Sequence, residues 1–374
     1  MKLLFAGGGT AGHINPALAI AQYVRDKMPD ADILFVGNRG GMESTLVPKA
    51  GFKFAEIDVR GFRRSLSPAN IKHNIGAVWR MFSSSTESAK IIAEFAPDIA
   101  VGTGGYVSGP VLRKAAKMGC PIIIHEQNAF PGVTTKMLSK SAARVMLAMP
   151  EAKRHLDEKC KIEVCGNPLR SQILSADKAI SRGELGLCDE PLILSFGGSL
   201  GAGKINSAMA ELLAWSSKNT PCRHIHGTGR AGYADFLKKL ELAGLNLGLT
   251  PRISVRDYID DMPRCLAAAD LVIARSGAIT LSEIGALGKA SILIPSPNVA
   301  ENHQYHNAMT LVKKDAAVLI EDKDLTGDKL IETVKDLISN KSKLEIMGEN
   351  AKKDAVLDSC ERIFSAILEA VKTP

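Results

Sequence analysis

Twice along the chain, a short aliphatic segment leads into a glycine-rich loop and then into a helical segment. Residues 2–6 precede the loop at 7–12, and residues 192–196 precede the loop at 197–203. Such strand–loop–helix units build parallel sheets that are covered by helices. Because the two units start about 190 residues apart, they predict an α/β chain of two Rossmann-like halves rather than a solenoid.

Further short apolar segments continue both series, and each of them predicts a strand. They lie at 33–36, 99–101, 122–125, 224–226, 271–274, 291–294 and 317–320. Residues 161–170 end a strand in a Gly-Asn-Pro turn, so the two halves are expected to join near 166–190. Pro16 is placed to start the first helix, and the segment from about 328 to 372 is predicted to be helical.

The composition is that of a folded protein with a large core. At roughly 150 residues per domain, 374 residues correspond to two or three domains. No apolar segment approaches the roughly 20 residues of a membrane span, and the aliphatic start is too short for a signal peptide. Seven cysteines without a C-x-x-C pair indicate neither a disulfide framework nor a zinc ribbon, so we expect a reduced, cytosolic protein.

The net charge of +7 is concentrated in the first half of the chain. Residues 1–166 hold 22 Lys and Arg against 14 Asp and Glu, whereas residues 167–374 hold 25 against 26. A basic half beside a neutral one indicates that the first half meets an anionic partner. Nucleic acid and anionic lipid both fit this pattern, and composition does not choose between them.

The glycine loops are suited to bind phosphate, because a loop without side chains brings backbone N–H groups close to an anion. The loop at 7–12 matches G-x-G-x-x-G, but the next strand ends at Asn38 without the acidic residue that a dinucleotide ribose needs. The second loop approaches a P-loop at Lys204, but Ile205 stands where a Mg²⁺-binding hydroxyl is required. A third glycine cluster, at 102–105, follows another predicted strand.

Eight motifs together resemble the MurG family of peptidoglycan glycosyltransferases. In chain order they are GGGTAGH (7–13), GTGGYVSGP (102–110), HEQN (125–128), GNPLR (166–170), GGSLGA (197–202), IDDM (259–262), RSGAITLSE (275–283) and HQYHNA (303–308). RSGA-x-T-x-S-E with HEQN is the most specific part of the match. Ala11 departs from the pattern, since the family has glycine there and alanine adopts positive φ poorly.

The resemblance implies the GT-B fold, in which two Rossmann-like α/β domains with parallel sheets face each other across a cleft. We expect an N-terminal acceptor- and membrane-facing domain over 1–166. It would be completed by a C-terminal helix at about 355–374, and a UDP-GlcNAc-binding domain would span 167–354.

The implied activity is inverting transfer of GlcNAc from UDP-GlcNAc to the 4-hydroxyl of lipid I, the undecaprenyl-diphospho-MurNAc-pentapeptide. The product is lipid II, for peptidoglycan synthesis, cell shape and division. No cofactor and no metal are implied. The implied partners are UDP-GlcNAc, lipid I, an anionic membrane surface and other cell-wall synthesis proteins, with no nucleic acid, and the implied location is peripheral, on the cytoplasmic face of the bacterial plasma membrane.

The family pattern assigns the donor site residue by residue. Ser199 would contact the diphosphate, or else cap the following helix. Glu283 would accept hydrogen bonds from the ribose, although Thr280-x-x-Glu283 is also a capping-box pattern. The implied UDP-GlcNAc-binding residues are Thr10, Ala11, Gly12, Asn128, Arg170, Ser199, Ile259, Ala278, Ile279, Thr280, Leu281, Ser282, Glu283 and Gln304.

For four of these positions, either a structural alternative to the binding role or a chemical reason for that role can be stated. Arg170 and the backbone of Ile259 would lie near the uracil, whereas the alternatives are a surface salt bridge and a core position. Asn128 and Gln304 would bind the GlcNAc, since neutral amides offer donors and acceptors without charge. For Asn128 the alternative is a turn residue.

His13 is the candidate general base, because inverting transfer removes a proton from the attacking hydroxyl and imidazole titrates in the useful range. The alternative is that His13 caps the helix or binds the diphosphate of the acceptor. Glu126 is expected to be structural. The residues implied to hold the acceptor diphosphate are Gly9, Thr10, Gly104, Gly105 and Tyr106.

Two further features of the sequence concern metal and membrane. The Asp-x-Asp pairs at 30/32 and 322/324 lie in charged, turn-like segments, so they are expected to be solvated rather than metal-binding. Residues 60–82 combine cations with apolar residues at helical spacing, and Trp79, Arg80 and Phe82 are the predicted membrane contact. The alternative is an amphipathic helix that packs on its own sheet.

Two other functions share part of this pattern. A UDP-GlcNAc 2-epimerase would use the same fold type and donor without a lipid acceptor, and HEQN and GTGGYVSGP fit it less well. A nonenzymatic nucleotide-sugar-binding protein, or a basic nucleic-acid-binding one, would explain the charge, but the basic segments lack an aromatic stacking platform. Release of UDP separates the cases, since the transferase needs an acceptor, the epimerase does not, and a binding protein releases none.

Overall fold

The chain, described by a computed structural model over residues 1–59, 85–198 and 200–372, forms two compact units. Unit 1 comprises Met1–Leu169 and Asp358–Pro374, and unit 2 comprises Arg170–Leu357. The boundaries expected from the sequence, 166/167 and about 354/355, lie three residues before these divisions. The last residue of the GNPLR motif therefore belongs to unit 2 and the four before it to unit 1.

Unit 1 is built on one sheet. Its strands are β1 (Lys2–Gly7), β2 (Asp32–Asn38), β3 (Lys53–Ile57), β4 (Ile99–Gly104), β5 (Ile122–Glu126), β6 (Arg144–Leu147) and β7 (Ile162–Val164). They pair in the order β3-β2-β1-β4-β5-β6-β7, and every pair is parallel. The first helices are α1 (Ala11–Lys27), α2 (Glu43–Lys49), α3 (described over 85–95), α4 (Gly105–Lys117) and α5 (Val133–Leu138).

Unit 2 repeats this plan. Its strands are β8 (Leu192–Phe196), β9 (Arg223–Gly227), β10 (Ile253–Arg256), β11 (Leu271–Ala274), β12 (Ala290–Leu293) and β13 (Ala317–Leu319). They form a parallel sheet in the order β10-β9-β8-β11-β12-β13. The helices are α6 (Ser171–Leu174), α7 (Lys178–Glu184), α8 (Gly203–Asn219), α9 (Tyr233–Leu242), α10 (Met262–Ala268), α11 (Ala278–Leu287), α12 (His303–Val312), α13 (Gly327–Ile338) and α14 (Lys341–Lys352).

Short 3-10 segments complete the described structure, at Ser139–Ser141, Pro150–His155, Arg230–Gly232, Leu247–Leu249, Ala300–Asn302 and Asp322–Asp324. Among the described residues, no helix combines the length and the apolar content that crossing a bilayer requires.

The strand order places the glycine loops. In unit 1 the order reverses between β1 and β4, and in unit 2 it reverses between β8 and β11. Loops at the carboxyl ends of the strands on either side of such a reversal leave a crevice, which is where doubly wound sheets bind ligands. The three glycine clusters of the sequence lie at the carboxyl ends of β1, β4 and β8, and Gly7 and residues 102–104 still belong to their strands.

The central strands are apolar on both faces, as a covered parallel sheet requires. In β1, Leu3 and Phe5 belong to one buried cluster, which includes Ile20 of α1. Leu4 belongs to the cluster on the other face, which includes Leu112 of α4. Because successive side chains alternate between faces, one strand contributes to two helical layers.

The last helix, α15 (Ser359–Lys372), packs against α1 and so completes unit 1. Its Ile363 and Ile367 are buried in the same cluster as Ile20 and Val24. The sequence-based expectation that the C-terminal helices return to the first domain holds for α15, whereas α13 and α14 stay in unit 2.

Three strands and one helix start differ from the sequence predictions. β3 and β10 lie at sheet edges and β6 (RVML) begins with a charged residue, so none of them shows the continuous apolar pattern of a central strand. The prediction that Pro16 starts the first helix is wrong, because α1 begins at Ala11 and contains Pro16. The helix tolerates this proline near its beginning at the loss of the hydrogen bond to the carbonyl of Gly12.

Two buried histidines on β9 should make unit 2 sensitive to acid. His224 and His226 are fully buried, and their rings hydrogen-bond to Ser216 Oγ at 2.7 Å and Ser195 Oγ at 2.8 Å. Burial lowers the pKa of His224 to about 4 and that of His226 to about 3. In the unfolded chain both histidines therefore become protonated as the pH falls below their ordinary pKa of 6.5. In the folded chain they stay neutral until the pH approaches 4.

We expect the free energy of unfolding to be largest above pH 6.5 and to fall as the pH drops towards 4. Each histidine contributes about 1.4 kcal/mol per pH unit, so the two together lower it by several kcal/mol. Urea unfolding at about pH 7, 5.5 and 4.5 measures this slope. His224→Gln should flatten it, and the half-buried His306 provides the control variant His306→Gln. Equal slopes in all three proteins would contradict the assignment.

Candidate functional site

The first and third glycine clusters come together at the reversal in unit 1. A Cβ on Gly105 would lie 2.2 Å from the carbonyl oxygen of Gly8, so the two backbones are in direct contact there. Gly9, Gly104 and Gly105 all have positive φ, which a side chain disfavours. This arrangement brings together the residues predicted from the sequence for the acceptor diphosphate.

Helix α1 opens from this loop, and among its first residues the N–H of His13 is donated to the carbonyl of Thr10 at 3.1 Å. It begins at Ala11, has no side-chain cap and carries no acidic residue in its first turn. Ala11 is helical and lies outside the positive-φ residues, so the glycine of the family pattern is not required here. An uncapped helix start of this kind favours a bound phosphate.

His13 lies in the first turn of α1, half-buried, with its ring packed against Gly104. A Cβ on Gly104 would lie 2.9 Å from the Cδ2 atom of His13. The Nδ1 atom of His13 lies 3.3 Å from the carbonyl oxygen of Gly8 and 3.2 Å from Thr10 Oγ1. A carbonyl only accepts, so a neutral ring that donates from Nδ1 to Gly8 has its lone pair on Nε2.

Glu126 of the HEQN motif holds the loop after β5. Its Oε1 accepts from the N–H and Nδ2 groups of Asn128, at 3.1 and 3.0 Å. Its Oε2 accepts from the N–H of Gly132 at 3.0 Å and from Thr135 Oγ1. A buried carboxylate with four donors orients its neighbours, which agrees with the structural role expected for Glu126, and Asn128 is one of the residues that it orients.

In unit 2, the loop after β8 packs backbone to backbone on the loop after β9. A Cβ on Gly201 would lie 2.1 Å from the carbonyl oxygen of Thr228, and both Gly201 and Gly229 have positive φ. Helix α8 follows, with Ala202 at its N-cap, no side-chain cap and no acidic residue in its first turn. Ser199, predicted to contact the diphosphate, lies outside the described residues.

Glu283 is a buried carboxylate inside α11 rather than part of a capping box. The N-cap of α11 is Gly277 and the helix begins at Ala278, so Thr280 lies within it. Arg170 Nη2 lies 3.2 Å from Glu283 Oε1. Burial raises the pKa of Glu283, and the guanidinium of Arg170 partly opposes this rise.

The other donor-site residues of unit 2 are reported where they lie. Ile259 is buried against Gly227, as the core alternative has it. Ala278 and Leu281 are buried, and Ser282 Oγ donates to the carbonyl of Ala278 at 3.1 Å. Ile279, Thr280 and Gln304 are half-buried, and Gln304 Oε1 accepts from the N–H of Ser296 at 2.9 Å.

One aspartate of each Asp-x-Asp pair lies in an ion pair. Asp322 pairs with Arg275 at 2.6 Å, and Asp32 pairs with Lys53 at 2.6 Å. Across the described part of the chain, no three His, Cys, Asp or Glu side chains are grouped so as to hold a metal ion. The predicted membrane contact at Trp79, Arg80 and Phe82 lies outside the described residues.

Each of the two parallel-sheet units has an uncapped helix at its reversal point, an arrangement that suits a phosphate-containing ligand. Residues 3–147 match the glycosyltransferase family 28 N-terminal domain, and residues 192–363 match the glycosyltransferase family 28 C-terminal domain. The chain is a glycosyltransferase and belongs to this family.

A close relative carries a specific name. The UDP-N-acetylglucosamine–N-acetylmuramyl-(pentapeptide) pyrophosphoryl-undecaprenol N-acetylglucosamine transferase of Acetivibrio thermocellus is 45% identical over 373 residues, which cover 100% of this chain and 99% of that protein. The crystal structure of Acinetobacter baumannii MurG superposes with a TM-score of 0.78 at 26% identity, covering 98% and 99% of the two chains. These matches confirm the family resemblance and the predicted fold.

The fold is shared more widely. A UDP-GlcNAc 2-epimerase from Neisseria meningitidis, solved with UDP-GlcNAc, superposes with a TM-score of 0.66 at 14% identity and covers 99% and 100% of the two chains. At that identity the likeness concerns the fold alone.

Proposed function

We propose that this glycosyltransferase moves GlcNAc from UDP-GlcNAc to the 4-hydroxyl of the muramoyl sugar of lipid I, forming lipid II with inversion at the anomeric carbon. The observation that carries the proposal is the full-length match, at 45% identity, to the transferase named for these substrates. The epimerase alternative has only a likeness of fold in its support.

Unit 2 would hold the donor. Glu283 would accept hydrogen bonds from the ribose hydroxyls. The guanidinium of Arg170, which now pairs with this carboxylate, would then either share it with the ribose or move away from it. The N–H groups at the start of α8 would face the diphosphate and, with Ser199, offset the charge that builds on the departing UDP. Arg170 and the backbone of Ile259 would contact the uracil, the start of α11 would lie beside the nucleotide, and Gln304 and Asn128 would bind the sugar.

Unit 1 would hold the acceptor and its base. The start of α1, with Thr10 and Tyr106, would bind the acceptor diphosphate. Nε2 of His13 would take the proton from the 4-hydroxyl as that oxygen attacks the anomeric carbon and the bond to UDP breaks. The N–H of Gly9 is already donated to Glu43 at 3.1 Å, so Gly9 would contribute by its conformation.

Release of UDP tests the function. The purified protein should release UDP from UDP-GlcNAc only when a lipid I analogue is present. Release without an acceptor would favour the epimerase, and binding of UDP-GlcNAc without any release would favour a binding protein.

We also place the protein on the cytoplasmic face of the plasma membrane, which it would contact through residues 60–82. Unit 1 supports this placement with an exposed basic and apolar face on α5. Val133 and Met137 are 67% and 49% exposed at i, i+4 spacing, and Lys136 and Lys140 lie on the same short stretch. Such a mixture suits an anionic interface.

Binding to anionic vesicles should therefore weaken with salt and with the double substitution Trp79→Ala/Arg80→Ala. We expect about a tenfold loss, since a cation near an anionic surface contributes about 1 kcal/mol and the indole ring adds to it. Vesicle sedimentation measures it. Leu242→Ala/Lys238→Ala on α9, which removes an exposed apolar side chain and an exposed cation from unit 2, is the control. Equal binding by the two variants would move the contact elsewhere.

A further inference from the structure

A carboxylate that the sequence motifs do not include lies beneath the first glycine loop. Glu43 is the first residue of α2, and it is 0% exposed. Its Oε2 accepts from the N–H of Gly9 at 3.1 Å, and its Oε1 accepts from the N–H of Asn38 at 3.0 Å. The side chain thus joins the loop after β1 to the end of β2.

Three glycines leave the space that this side chain fills. A Cβ on Gly8 would lie 2.2 Å from Glu43 Oε1, a Cβ on Gly37 would lie 2.5 Å from its Cγ, and a Cβ on Gly41 would lie 2.8 Å from its Cδ. The three belong to different segments, the loop, the strand and the turn before α2. Each would displace the carboxylate if it carried a side chain.

The same carboxylate belongs to a closed circuit of contacts that includes Tyr106. The Tyr106 ring packs on Gly9, where a Cβ would lie 2.7 Å from its Cε1. Its phenol hydrogen-bonds to the side chain of Asn38, whose Oδ1 accepts from the N–H of Val59 at 2.9 Å. Burial raises the pKa of Tyr106, and the charge of Glu43 raises it further, which places the carboxylate close enough to act on the phenol.

We propose that Glu43 is a positioning residue of the acceptor site, which holds Gly9 and Tyr106 in the arrangement that receives the acceptor's diphosphate. The proposal rests on the function proposed above. Glu43 touches neither substrate. It takes the N–H of Gly9 out of the anion site and sets the loop conformation on which the Tyr106 ring packs and from which α1 starts.

The role requires a carboxylate rather than an amide. Two N–H groups converge on the two oxygens of Glu43, and an ionised carboxylate accepts at both. Glutamine has the same shape but one oxygen, so its NH₂ group would face an N–H donor and one backbone group would lose its partner. Glu43→Gln therefore changes the chemistry of the circuit and keeps its volume.

Glu43→Gln should lower kcat/KM for a lipid I analogue by about 10- to 100-fold, the loss expected when a reacting group is misplaced by a fraction of an ångström. UDP affinity measured by calorimetry should be unchanged, because the residues proposed to contact the uracil, the ribose and the diphosphate of UDP lie in unit 2. Glu56→Gln, which removes an exposed carboxylate of the same unit, is the matched control and should retain activity. A variant with normal acceptor kinetics would overturn the proposal.

A double-mutant cycle with Tyr106→Phe tests whether the two residues act together. The double variant should lose little more than the worse single variant, since either change opens the same circuit. Additive losses would show that Glu43 and Tyr106 act independently and would overturn the proposal.

Two further measurements separate this proposal from folding defects and from the proposed function. The ultraviolet titration of Tyr106, obtained by difference from Tyr106→Phe proteins, should move to lower pH in Glu43→Gln. This result does not depend on the identity of the acceptor substrate, so it tests the circuit even if the proposed function fails. An unmoved titration would overturn the circuit. If Glu43→Gln does not fold, Gly41→Ala, which displaces the carboxylate without removing it, should show the same acceptor defect, with Gly183→Ala in open space as its control.

Discussion

Replacing His13 with alanine should lower kcat by about 100-fold or more, which is the contribution that a general base makes to proton transfer. The structure supports the assignment through the contact of Nδ1 with the carbonyl oxygen of Gly8, because a neutral ring that donates there has its lone pair on Nε2. The ring is held against Gly104, so few rotamers are open to it. Truncation to alanine should therefore remove the whole contribution of the base to kcat, because no water molecule would be held in the position of the imidazole.

The alternative, that His13 binds the acceptor diphosphate, predicts a different kinetic pattern. A binding residue would raise the acceptor KM with a smaller effect on kcat, whereas a base lowers kcat and removes the acidic limb of the pH profile. The measurement is the rate of UDP release with a lipid I analogue across the pH range. His155→Ala, on another histidine of unit 1, serves as the control. Near-normal kcat in His13→Ala would remove His13 from the role.

Replacing Glu283 with glutamine should weaken UDP binding by about 10- to 100-fold, since hydrogen bonds to a charged group contribute about 1.5–3 kcal/mol each. The loss should be large because Glu283 is buried and because Arg170 would then lie beside a neutral amide. The acceptor KM should not change. Calorimetric titration with UDP measures the effect, and Glu184→Gln on α7, an exposed carboxylate of unit 2, is the control.

The same assignment predicts the pH dependence of donor binding. Burial raises the pKa of Glu283 above its ordinary value of 4.5. Ribose binding requires the ionised form, so UDP affinity should be full above the raised pKa and should fall as the pH drops through it. Glu283→Gln should lack this limb. A limb that persists in the variant, or unchanged affinity, would place the ribose elsewhere.

Local pattern was sufficient for the central part of the fold. Strands predicted at 192–196 and 271–274 are confirmed residue for residue, because buried parallel strands are continuous apolar segments between turn signals. The edge strands β3 and β10 were missed because one side of each is open to solvent and their sequences, KFAEI and ISVR, carry charge. The start of α1 was misplaced because proline marks the first turn only as a preference.

The candidate site divides in the same way. The sequence by itself determined the positions of the glycine loops, the family resemblance and the candidate residues within the motifs. All three depend on short motifs in a fixed order along the chain. Only the tertiary structure decided that Glu283 is buried inside α11 and paired with Arg170, which lies 113 positions away. Only the tertiary structure likewise revealed Glu43, whose partner Gly9 is 34 positions distant.

The physical reason is that a motif records which groups follow one another along the backbone, whereas a buried charge is defined by the donors that surround it. Thr280-x-x-Glu283 satisfies the local rule for a helix cap. Whether it forms one depends on where α11 begins, and Gly277 sets that start at the end of β11. Gly37 and Gly41 leave room for the Glu43 side chain, and nothing in the sequence next to either glycine indicates that it is required for this reason.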